Sequence, residues 1–144
     1  MLLALFFVTA WMLMLWRVPA VRSLTISPAV ERQLEDADIA VAARFGGPTA
    51  VETSLSIAQH GIDADMGADG MGVATTDGYW DALSGAALCG ARGSVLALVN
   101  APRADRVAQF VQGQRTAMRS GYVFGGSASV SQGIVDVLDA AARG

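Results

Sequence analysis

The chain has 144 residues, of which 53% are apolar and 16% charged, and a net charge of −3. That length suits one soluble domain with a core that needs no staples, and the slight acidic excess argues against a general nucleic-acid binder, which carries a basic stripe. A lone cysteine, Cys89, excludes an intrachain disulfide and a cysteine-based metal site, and its apolar surroundings, Ala86-Ala-Leu-Cys-Gly90, make it a core thiol.

Met1–Trp16 comes first and is apolar at every position except Thr9. Without it the chain falls to about 48% apolar, an ordinary globular value, which excludes a polytopic membrane protein and a disordered chain. The stretch is shorter than the roughly 20 residues of a bilayer span. Arg17 and Arg22 follow it, whereas a secretory signal carries its basic residues in front; Val18-Pro19-Ala20 is a passable small-residue cleavage site. Residues 1–20 are therefore expected to be a signal or membrane anchor, and the only membrane contact. A degenerate signal peptide, a short anchor with Arg17 on the cytoplasmic side and an artefact of a displaced start all stay open.

Strand-like and helix-like segments then alternate. Ile39-Ala-Val-Ala-Ala43 reads as a short strand, stopped by Arg44 and the turn at Gly46-Gly47-Pro48. Thr49–His60 reads as a helix closed by Gly61, with Val51, Leu55, Ile57 and Ala58 apolar. Met71–Ala74 is a short strand. Asp77–Gly90 is a helix with Trp80, Leu83, Ala87 and Leu88 on one face. Val95–Val99 is a buried-type strand, and Pro102 opens a helix running to about Met118 with Val107, Phe110 and Val111 inward. Gly121–Phe124 is a further strand, and Ser129 opens a helix containing Val130, Ile134, Val137 and Leu138. About four β-α units predict an α/β fold: a parallel sheet flanked by helices, preceded by a hydrophobic N-terminal helix.

The chain also echoes itself. Ile26-Ser27-Pro28-Ala29-Val30, with Leu34 and Ala37, matches Val130-Ser131-Gln132-Gly133-Ile134, with Leu138 and Ala141, at a constant offset of about 104 residues, a domain-sized period. This divides the chain into residues 1–20, residues 21–37 as the last helix of a preceding partial repeat, and residues 38–144 as one whole repeat. The charges are divided too. Glu31–Asp81 is predominantly acidic, while Arg92–Arg119 holds Arg92, Arg103, Arg106, Arg115 and Arg119 against Asp105 alone. A basic half suits an anionic polymer, and equally a solvated helix face.

Three segments carry a family resemblance. Tyr122-Val-Phe-Gly-Gly-Ser-Ala-Ser-Val-Ser131 resembles the V-Y-I-x-G-G-x-x-A-V-S signature of the cell wall binding repeat 2 family. Thr76-Asp-Gly-Tyr-Trp-Asp-Ala-Leu83 resembles its G-x-x-F-P-D-A-L segment. Arg44-Phe-Gly-Gly-Pro-Thr-Ala-Val-Glu-Thr53 resembles its R-x-x-G-x-D-R-Y-E-T segment. The three occur in family order, over about Asp38 to Ala142. The resemblance implies a non-catalytic module of secreted Gram-positive proteins, extracellular on the wall or cell surface. It implies an anionic cell-wall polymer as ligand, tandem association with other copies of the repeat, and a parallel α/β fold. The chain departs from the pattern at Thr49 and Ala50, where the family has Asp and Arg, at Val51 for Tyr, and at Trp80 for Pro.

The residues themselves place a candidate site at two strand-to-helix turns. Gly125, Gly126, Ser127 and Ser129 follow one strand, and Thr75, Thr76 and Gly78 follow another; glycines expose backbone N–H groups there, and helix N-termini attract anions. Simple capping accounts for the same residues. Asp81 reads either as a dipole-stabilising carboxylate or as a ligand contact. Glu52 and Arg44 are expected to pair across the Gly-Gly-Pro bend, and Thr53 joins them through the motif. Arg92, Arg103 and Arg106 are the cationic candidates for a polymer.

Enzyme readings are weaker. Gly125-Gly-Ser-Ala-Ser129 misses the G-x-S-x-G elbow at its last position, and a triad would need His60, the only histidine. Asp63, Asp65 and Asp69 suggest a calcium loop, but Gly67 stands where a ligand is needed, so a solvated acidic loop is expected. No dinucleotide fingerprint follows any strand. No cofactor, metal, catalytic residue or nucleic acid is expected. The alternatives to wall binding are a degenerate repeat acting only in repeat–repeat association, and a small hydrolase such as a wall amidase component.

Overall fold

The computed structural model describes residues 26–144. The apolar segment Met1–Trp16 and the Val18–Ala20 site lie outside them. Helix α1 is Pro28–Asp36 and α2 is Ala50–Asp63; β1 (Gly67–Thr75), α3 (Trp80–Ala91), β2 (Ser94–Val99), α4 (Ala104–Gln114), β3 (Ser120–Phe124) and α5 (Gln132–Arg143) follow, with a 3-10 turn at Ala101–Arg103 before α4. The three strands form one parallel sheet in the order β2-β1-β3. This is the expected α/β architecture, with a helix between each pair of consecutive strands.

The sheet has three strands among the described residues, not four. Ile39–Ala43 carries no strand, and Ile39 is exposed. The helix that follows it accounts for this. α2 lies against β2, and its buried Ser54 accepts the Leu98 N–H at 2.8 Å while donating to the Val51 carbonyl at 2.7 Å. α2 thereby takes the outer Leu98 N–H that a further strand on that edge would need.

Parallel pairing sets Val73 of β1 between Ala97 of β2 and Val123 of β3. On one face Met71, Val73, Val95, Ala97 and Val99 meet Val51, Leu55, Val107, Val111, Ile134 and Leu138 from α2, α4 and α5. Val51, Val99 and Val107 are fully buried, and burial of each contributes about 1.5–3 kcal/mol relative to exposure. The inward set expected for α4 is seen, with Phe110 half-buried at its margin.

The opposite face is built on small residues. α3 buries only Gly85 and Cys89, while Trp80, Leu83, Ala87 and Leu88, which share one face in the sequence, are exposed. The reason is the Phe124 ring, which occupies the space between Gly72 of β1 and Gly85 of α3; a Cβ at Gly72 would fall 2.5 Å from Phe124 Cε2 and 2.7 Å from Cys89 Sγ, and one at Gly85 would clash with the same ring. Cys89 is a core thiol as expected, and burial pushes its pKa up.

Helix ends differ from the sequence expectation in physical ways. α2 runs through Gly61, which lets Met66 and Val95 approach closely, and stops at Asp63, two residues before Asp65, whose φ is +65°. α5 starts at Gln132 rather than Ser129, because Ser127–Ser129 form a turn in which the N–H groups of Ser129 and Val130 both donate to the Gly126 carbonyl.

Both echoed segments start helices. α1 and α5 begin at echoed residues, after Ser27 and Ser131 in the same extended conformation. Yet Val130, Ile134 and Leu138 are buried, while Ile26, Val30 and Leu34 are 52%, 40% and 37% exposed. No residue of α1 is buried. No helix of the described residues is long and apolar enough to cross a membrane.

Candidate functional site at the carboxyl edge of the sheet

Because all strands are parallel, their carboxyl ends and the N-termini of α2, α3, α4 and α5 lie along one edge. At the end of β2, the Asn100 amide donates to Thr76 Oγ1 at 3.1 Å, and the Thr76 N–H donates to the Val99 carbonyl at 3.0 Å. The Thr75 hydroxyl accepts the Asp77 N–H. These bonds tie the loop after β1 to the loop after β2. Asn100 Oδ1 is buried with no hydrogen-bond partner among the described residues.

Beside this, Thr49 caps α2 by accepting the Val51 N–H at 3.2 Å, and its hydroxyl donates to Glu52 Oε2. Thr53 donates back to the Thr49 carbonyl. The Arg103 guanidinium holds Glu52 Oε1 at 2.9 Å. The Thr49 hydrogen bond first, and the Arg103 charge after it, keep the Glu52 carboxyl below the usual carboxylate range despite its burial. Gly47 has a steric role: a Cβ there would fall 2.5 Å from Glu52 Cβ and 2.8 Å from the Thr53 backbone nitrogen. The loop before α2 can cross its first turn only with glycine at that position.

On the other side of β1, Gly125 ends β3 with φ +106°, and a Cβ there would lie 2.5 Å from Asp81 Oδ2. The Asp81 carboxylate, in the first turn of α3, is therefore seated against the Gly125 backbone. Gly126 and Ser127 are exposed, and Ser129 is half-buried above Gly125.

The edge thus gathers Glu52, Thr53, Thr76, Asp81, Gly125, Gly126, Ser127 and Ser129, which come from three separated sequence segments. Arg44 does not join them. It pairs with Glu31 of α1 at 2.7 Å and donates to the Ile26 carbonyl, so the expected Arg44–Glu52 pair is replaced by Arg44–Glu31 and Arg103–Glu52. Arg92 is at the opposite end of the sheet, where it donates to the Tyr122 hydroxyl at 3.2 Å and covers its ring. His60 stands in the last turn of α2, its ring tilted against Phe45, at the far end of that helix from the Ser127–Ser129 turn.

Two groups were missed in the sequence. Asn100 carried a usable signal, since it directly follows the buried run Val95–Val99 at a strand's carboxyl end. Tyr79 and Trp80 flank the same loop, 59% and 69% exposed with ring centroids 3.9 Å apart.

Residues 44–135 match the sequence profile of cell wall binding domain 2. The chain belongs to the cell wall binding domain 2 family. It is accordingly a protein of the cell wall or cell surface. No curated protein and no solved structure matches it. In this cell wall binding domain the family motifs have clear structural work: the first folds a loop over the start of α2, the second starts α3, and the third turns from β3 toward α5. The departures fall in the first two. Thr49 supplies the cap where the family has Asp, Ala50 leaves an exposed methyl where it has Arg, Val51 is buried, and Trp80 is a bare aromatic face.

Proposed function

We propose that the chain is a non-catalytic module that fixes a secreted protein to the cell wall by binding an anionic wall polymer along the carboxyl edge of its sheet. The observation that carries this reading is the convergence of the three family motifs on that edge. The chemistry there suits a charged glycan. Helix N-termini favour phosphate or carboxylate groups. Asp81 offers acceptors for sugar hydroxyls, and Tyr79 with Trp80 offers an apolar face for a sugar ring. Arg103, one of whose nitrogens is committed to Glu52, and Arg106 one turn along α4 supply the cations.

Cosedimentation with sacculi tests the reading. The chain is expected to pellet with intact sacculi, to lose most of that binding when anionic polymers are stripped, and to bind less at high salt. Trp80→Ala, at an exposed position, is expected to weaken binding about tenfold without lowering stability. Equal binding to intact and stripped sacculi refutes the anionic ligand, and binding to neither refutes wall attachment.

A further inference from the structure

We propose that the free edge of β3 is a strand-acceptor site, and that it takes the Ile39–Arg44 segment of a second copy of this chain. The two edges of the sheet are treated differently. On β2 the outer Leu98 N–H is taken by Ser54 of α2, but no strand pairs with the outer side of β3 among the described residues. Exposed sheet edges are templates for a further strand unless they are blunted. Here the edge carries exposed apolar surface: Val123 is 44% exposed, and a cleft of about 370 Å³ opens between β3 and α5 beside Val123 and Val135.

The donor is the strand-type segment that the sheet leaves out. Ile39-Ala-Val-Ala-Ala43 alternates branched and small side chains, lies outside the core, and makes no strand pairing among the described residues. It leads into α2 at the β2 side, the opposite edge of its own sheet. Ile39, Val41 and Ala43 share one face and suit the cleft, while Ala40 and Ala42 are small enough to pass Tyr122 and Phe124.

Charge sets the direction. Asp38 leads into Ile39 as Arg119 leads into Ser120, so parallel pairing in that register places Asp38 beside Arg119. Arg119 forms no ion pair among the described residues. The acidic N-terminal half and the basic Arg92–Arg119 stretch are thereby complementary between molecules. Donor and acceptor are different surfaces, so growth is head-to-tail and passes beyond a dimer.

The test uses residues 26–144, which contain every buried side chain of the described core. Sedimentation velocity at low salt is expected to show species larger than a dimer that increase with concentration. Assembly is expected to slow amide hydrogen exchange in both Ile39–Arg44 and Gly121–Phe124. Ile39→Asp, at an exposed position, abolishes assembly with the melting temperature unchanged. Asp38→Arg and Arg119→Glu each weaken it about tenfold, and the two together restore it. A monomer at all concentrations overturns the proposal, as does assembly indifferent to Ile39→Asp. Failure of the double charge swap to recover association overturns the register.

Discussion

Gly125 carries two constraints that a side chain would violate separately. Its φ of +106° is a conformation that L-residues rarely adopt, and its missing Cβ is the space filled by the Asp81 carboxylate. Gly126, its neighbour, has neither constraint: nothing lies within 4 Å of where its Cβ would be. The two glycines of one motif therefore separate on substitution. Gly125→Ala is expected to lower unfolding free energy by about 1–3 kcal/mol, from backbone strain and from pushing Asp81 out of place. Gly126→Ala is expected to stay within about 0.5 kcal/mol of the parent. Urea denaturation of both variants measures this, and equal losses would show that the Asp81 contact is not what selects glycine. The sequence pointed to both glycines alike, because a repeated Gly signals a turn without saying which residue has the unusual φ.

Elements were legible where a local pattern decides them. Val95–Val99 and Gly121–Phe124 are apolar runs bounded by turns; β2 is largely buried, whereas β3, none of whose residues is buried, is held by its parallel pairing with β1. The pattern failed where distant partners decide. The inward face of α3 is set by Phe124, some forty residues away in sequence, which needs glycine rather than leucine opposite it. Ile39–Ala43 has strand character, but α2 takes the outer Leu98 N–H of the edge it would join. The site followed the same rule: its turns were readable from Gly, Ser and Thr, whereas the ion pairs of Arg44 and Glu52 depend on α1 and the 3-10 turn. The echoed helices make the contrast measurable. Leu138 and Leu34 occupy equivalent positions, one buried at 8% and the other 37% exposed. Leu138→Ala is expected to cost about 2–5 kcal/mol, since it leaves a cavity against α4 and the sheet. Leu34→Ala is expected to cost under about 0.5 kcal/mol, because alanine suits a helix and little burial is lost. A paired thermal or urea titration decides whether α1 is a bystander of this core.

For the molecule as a whole, the position of the core predicts what can be removed. Every buried residue of the described chain lies between Val51 in the first turn of α2 and Leu138 in α5. α1 is held mainly by Arg44, through an ion pair with Glu31 that is about one-third exposed and by one bond to the Ile26 carbonyl. A pair so placed contributes about 0–1 kcal/mol, and loss of the apolar contacts of α1 adds little because none of its side chains is buried. Phe45 is different, since its ring packs against His60, and Gly47 shapes the start of α2; both belong to the folded unit. A chain of residues 45–144 is therefore expected to fold cooperatively and to melt within about 5 °C of residues 26–144, as a change of at most about 1 kcal/mol allows. Differential scanning calorimetry of the two chains checks this, and a drop of about 15 °C or more, several times what that change allows, would mean that α1 and Ile39–Arg44 stabilise the sheet. The same truncation removes the donor strand and Asp38 while leaving the carboxyl edge untouched. It is expected to be monomeric at every concentration and to pellet with sacculi where the longer chain does, which separates assembly from wall attachment in one molecule.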